Sequence, residues 1–119
     1  MDGTSITPTG NVNAILSGNT DLWTSSSGYN QDIGLWISGG TYGAGQVVAW
    51  KESGGFAGTF SPNVAYVHTV LPLVASTTYS VKLVWKSNKA DPGTIWAGAG
   101  PISSAFSPTR LTVELLPSG

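Results

Sequence analysis

The chain has no cysteine, so neither a disulfide nor a thiolate metal site can form, and cysteine usage points to no redox compartment. It is also short of charge. Only 9% of its residues are Asp, Glu, Lys or Arg, against roughly 25% in an ordinary globular protein. Five cations stand against six acids, for a net charge of −1. A nucleic-acid partner would require a basic face, and none can be assembled here. Near-neutral charge also leaves little self-repulsion, so self-association meets little electrostatic resistance. No apolar run approaches the roughly 20 residues of a membrane span, so no membrane insertion is expected. The opening MDGTSITPTG has neither a basic nor an apolar segment of the signal-peptide kind, and none is expected.

Catalytic material is equally scarce. His68 is the sole histidine, set in the apolar run VAYVHTVL, and it reads as a partly buried structural residue. No G-x-S-x-G elbow accompanies it. The acids Asp2, Asp21, Asp32, Glu52, Asp91 and Glu114 are scattered, without calcium-loop spacing or a histidine pair, so no metal is expected. Asp91, before Pro92 and Gly93, is a turn residue. The glycines of TYGAGQ lie between strands rather than ahead of a helix, which argues against a phosphate cradle. The expectation is a protein that is not an enzyme and carries no cofactor.

What the chain does have is alternation. Residues 77–88 read TTYSVKLVWKSN: Tyr79, Val81, Leu83 and Trp85 alternate with Ser80, Lys82, Val84 and Lys86. A period of two gives a strand with one bulky apolar face, which needs a second layer to cover it. On this parity Trp85 belongs to the core. The remaining segments supply that layer. Residues 4–9 read as an edge strand or a lead-in, because Pro8 cannot donate to a ladder. Val12, Ala14 and Leu16 share a parity, with a break or bulge expected at Ser17, Gly18 and Asn19. Ile33, Leu35 and Ile37 face inward and Trp36 outward. Residues 46–52 have mixed parity. Residues 64–73 are apolar on both parities, as for a strand covered on both faces. A short strand lies within residues 94–100, and a last one puts Leu111, Val113 and Leu115 inward. With 16 glycines and seven prolines in the chain, Gly/Pro/Ser loops between the strands and no convincing helix, the pattern predicts one domain, residues 1–119. Its expected fold is all-β: an antiparallel two-sheet β-sandwich of jelly-roll type with about eight strands.

Five tryptophans carry the rest of the chemistry. Trp36 leaves the core by parity, and Trp50 and Trp96 have no clear parity. An exposed indole on a sheet marks either a subunit interface or a platform for a sugar ring. Trp36, Trp50 and Trp96 are therefore the candidate ligand-binding residues. The competing reading packs the same rings into the core or under loops.

The last forty residues run as a long aromatic strand (TYSVKLVW), a turn, a short strand (TIWAGAG) and a closing strand opened by Phe106-Ser107 (AFSPTRLTVELL). This order resembles the end of the tumour necrosis factor-like jelly roll, including the complement globular heads. Similar domains end bacterial and phage surface fibres and collagen-like proteins. Phe106, Ser107, Leu111, Val113 and Leu115 match the closing motif in type, and residues 31–38 match more loosely. The glycine-rich loops at Gly39 and Gly54 have no counterpart in that pattern. The resemblance implies a compact homotrimer that serves assembly and receptor binding, in an extracellular, cell-surface or virion setting. It also implies that the strands bearing Trp36, Val84 and Leu116 share the sheet facing neighbouring subunits, which makes those three the expected oligomer interface. The alternative function is a monomeric carbohydrate-binding module of the same architecture.

Overall fold

The structure is a computed structural model that describes residues 3–24, 31–52, 63–87, 95–97 and 109–118; for residues 23, 24, 63 and 95–97 it describes the backbone alone. Among the described residues there are eight strands: β1 (Gly3–Ile6), β2 (Val12–Thr24), β3 (Gln31–Ser38), β4 (Gln46–Glu52), β5 (Asn63–Leu73), β6 (Tyr79–Ser87), β7 (Ile95–Ala97) and β8 (Arg110–Pro117). They form two antiparallel sheets. The front sheet has the order β1-β6-β3-β4; in the back sheet β2 lies between β5 on one side and β7 and β8 on the other. The expected all-β two-sheet sandwich is the architecture found.

The core lies between the sheets and follows strand parity. Ile33, Leu35 and Ile37 of β3 and Tyr79, Val81 and Leu83 of β6 are buried from the front sheet; Ala14, Leu16 and Leu22 of β2 and Ala65, Val67 and Leu73 of β5 meet them from the back. Each of these larger aliphatic chains contributes about 1.5–3 kcal/mol by leaving water.

Four sequence expectations are corrected. The break expected at Ser17–Asn19 does not occur. β2 runs unbroken for 13 residues, and all three residues keep register with β5. Gly18 is there for space, since a Cβ on it would lie 2.5 Å from Leu83 Cδ1 in the facing sheet. β5 is covered on one face only. Ala65, Val67 and Leu73 are buried, but Val64, Tyr66 and Val70 are exposed, because no third layer lies behind the back sheet among the described residues. His68 shares that outward parity and is exposed rather than partly buried. Finally, Trp85 is 48% exposed although it stands on the inward parity opposite Ile33.

The mixed parity of residues 46–52 has a local cause. Leu35 pairs with Ala49 but Trp36 pairs with Val47, so Val48 is an extra residue, a β-bulge. The bulge turns Val47 and Trp50, three positions apart, to the same side of the sheet.

Candidate functional site

The outer face of the front sheet carries a concavity. Its floor is Gly34. Across the ladder Trp50 of β4 stands on one side of Gly34 and Val84 of β6 on the other. The missing side chain leaves a groove of about 360 Å³, lined also by Asp32, Ile33, Val47, Trp85 and Lys86. That volume lies at the small end of the roughly 300–1,000 Å³ usual for ligand sites. The floor is tightly set: a Cβ on Gly34 would sit 3.2 Å from both the Ala49 carbonyl oxygen and Val47 Cγ1, and 3.4 Å from Val84 Cγ2.

Trp50 is the aromatic wall and is 62% exposed. Its neighbours are polar at one end of the groove. Asp32 is flanked in register by Glu52 and Lys86, and Lys86 Nζ lies 3.8 Å from Asp32 Oδ2 and 5.9 Å from the centroid of the Trp50 ring. The Lys86 side chain is exposed and that of Asp32 mostly covered, 76% and 17% accessible, and at this length a pair with so exposed a partner adds little to stability. Lys86 presents its ammonium, and Asp32 the small part of its carboxylate that is accessible, beside the largely exposed indole. A flat ring, an apolar floor and a carboxylate with an ammonium at the end can hold a ligand that is apolar on one face and hydroxylated at its rim.

The candidate residues are not equivalent. Trp36 does leave the core, as its parity requires, but its ring is already occupied. Lys82 Nζ lies 4.7 Å from its centroid, and Gly45 packs against its six-membered ring so closely that no side chain would fit there. It is half-buried and acts as packing on the outer face. Trp50 has its lysine farther off, Lys86 Nζ at 5.9 Å, and is the more open of the two indoles. The side chain of Trp96 lies outside the described residues; its backbone in β7 pairs with Trp23. Val84 is half-buried and forms the second wall of the groove. Leu116 is 44% exposed but belongs to β8, in the back sheet. The three residues expected at one oligomer interface are thus divided between the two sheets. Phe106, Ser107 and Gly54 lie outside the described residues.

Sequence reasoning missed Gly34, Val47, Asp32 and Lys86 as parts of one site. Gly34 stood in the sequence as the small residue on the outward face of an apolar strand, between Asp32 and Trp36, and that was the available signal. Among the described residues no group of three His, Cys, Asp or Glu is placed to hold a metal ion, and no helix is long and apolar enough to cross a membrane.

Comparison with protein-family profiles, with curated proteins and with solved structures finds no match to this chain.

Proposed function

We propose that this chain is a non-catalytic carbohydrate-binding module, which holds a neutral glycan in the groove between Trp50 and Val84. One observation carries the reading. Trp50 is a largely exposed indole standing over a glycine-floored groove, with a carboxylate and an ammonium at its end. A sugar ring has the matching shape: its apolar face stacks on the indole, and its rim hydroxyls reach Asp32 and Lys86. Trp50 is the residue that stacks, Gly34 makes room, and Val84 and Val47 close the apolar walls. Glycan array binding followed by tryptophan-fluorescence titration tests the reading. Affinities in the millimolar to micromolar range are expected, about −4 to −8 kcal/mol. In this reading the module works outside a cell, on a cell surface or on a virion. A hydrolase screen should find no turnover that depends on His68.

A second reading is the trimeric head of a surface or phage fibre. It is favoured by Val47, Trp50, Trp36 and Val84 lying together on the outer face of the front sheet, with Val47 51% and Trp50 62% exposed. In that reading the face is covered by neighbouring subunits rather than by sugar, Val84→Asp reduces a trimeric mass to that of one chain, and the groove binds no glycan. Leu116 lies in the other sheet and is not part of this patch.

A further inference from the structure

The two long sides of the sandwich are finished differently. On one side β4 closes on β5. On the other, β1 and β8 leave a cleft of about 570 Å³, lined by Gly3, Thr4, Ile6, Leu111, Val113 and Leu115. Leu111, Val113 and Ile6 pack on the core but are only partly buried, and Leu115 is 39% exposed. Among the described residues nothing closes the lateral end of the core here. β8 pairs with β2 along one edge, and no described strand pairs with its other edge. An unpaired edge beside an open core is a template for another strand.

We propose that the occupant is a second copy of this chain, joined β8 to β8 in antiparallel fashion about a two-fold axis at Thr112. The run Arg110-Leu111-Thr112-Val113-Glu114 is self-complementary in that register. Arg110 faces Glu114 of the second copy at both ends, Leu111 faces Val113, and Thr112 faces itself. Shifting the register by one residue would turn the apolar face of one copy outward. Shifting the two-fold to Leu111 or to Val113 keeps the faces but separates Arg110 from Glu114. The chosen register alone matches charge and apolar face together. Arg110, Thr112 and Glu114 are exposed in the single chain, and Arg110 enters no ion pair among the described residues. Side by side, the two open core ends close on each other, and the particle carries two Trp50 grooves. The proposal does not depend on what those grooves bind.

The absence of cysteine makes the test direct. Residues directly opposite in an antiparallel pair have Cα atoms roughly 4.5–5.5 Å apart, within the roughly 4.4–6.8 Å that a disulfide spans. Thr112→Cys should therefore give a covalent dimer on mild oxidation. Asn13→Cys, exposed on the neighbouring strand, should not. By sedimentation, the unmodified chain should show a reversible dimer. Arg110→Glu should weaken it at least about tenfold, since like charges then meet at both ends, and Arg110→Glu with Glu114→Arg should restore it. Circular dichroism confirms that each variant is folded. A monomer at all concentrations, a trimer, or a charge-swapped double variant no better than the single one would overturn the proposal.

Discussion

Tyr79 and Trp85 stand on the same strand and the same inward parity, six residues apart, yet Tyr79 is 1% exposed and Trp85 48%. The difference lies in what surrounds each end of β6. Around Tyr79 the chain is tied down. Its hydroxyl accepts the Val74 N–H at 3.0 Å, and its ring meets Tyr42 edge-on, with centroids 6.1 Å apart. The Tyr42 hydroxyl donates to the Pro72 carbonyl at 3.1 Å. The connection from β5 to β6 is held through Ser76 N–H to the Pro8 carbonyl at 2.7 Å and Ala75 N–H to Asn11 Oδ1 at 3.0 Å. Trp85 stands opposite Ile33 in the ladder, and it borders the groove with its chain neighbours Val84 and Lys86. One end of the sandwich is fastened and the other presents aromatic surface. Parity decides which face a side chain takes; whether that face is covered depends on how far the opposite layer reaches.

The largest effect should come from the centre of β6, between those ends. Leu83→Ala removes a fully buried side chain that packs over Gly18, and should cost about 2–5 kcal/mol in denaturant unfolding. At the fastened end, Tyr79→Phe keeps the ring and removes the acceptor for Val74 N–H, for about 1–3 kcal/mol. At the groove end, Trp85→Ala should cost less than the roughly 3–5 kcal/mol of a buried aromatic, because about half of the ring is already in water; about 1–2 kcal/mol is expected. A loss as large as that of Leu83→Ala would show that Trp85 is core after all and would erase the contrast between the ends.

The fastened end also has a pH signature. Burial, and secondarily the neighbouring Tyr79, raise the pKa of Tyr42 above its ordinary 10.0. The folded chain therefore holds this proton more tightly than the unfolded chain does. That contribution is complete below the unfolded value and is lost as pH rises through the folded one. Unfolding midpoints measured across alkaline pH should fall more steeply for the unmodified chain than for Tyr42→Phe, which has no proton there to lose. Equal slopes would mean that Tyr42 titrates as it does in the unfolded chain.

Much of the front sheet was legible because its signal is local. The alternation of Tyr79, Val81 and Leu83, the inward Ile33, Leu35 and Ile37, and the outward Trp36 each need only the pleat of one strand. Three features were hidden because they depend on a partner. The bulge at Val48 exists only relative to β3, so residues 46–52 looked ambiguous alone. Gly18 looked like a break because glycine weakens strands, whereas it makes room for Leu83 from the opposite sheet. The burial of residues 64–73 was overread because an apolar strand looks the same whether one face or two are covered. The groove was half legible. Trp50 stood out as a tryptophan without parity, but its pairing with Gly34 follows from register, which no single strand encodes.

The smallest effect on stability should be that of Trp50→Ala, within about 0.5 kcal/mol of the unmodified chain, since the ring is mostly in solvent. Its effect on binding should be the largest, and for that reason it tests the binding reading most directly. The measurement is a fluorescence or calorimetric titration with the best glycan from a broad neutral array, comparing the unmodified chain, Trp50→Ala and Trp36→Ala. The expected result is saturable binding by the unmodified chain, at least about tenfold weaker binding by Trp50→Ala, equivalent to about 1.4 kcal/mol, and near-normal binding by a folded Trp36→Ala. No glycan bound by the unmodified chain, or equal binding with and without Trp50, would contradict the assignment of the groove as a carbohydrate site.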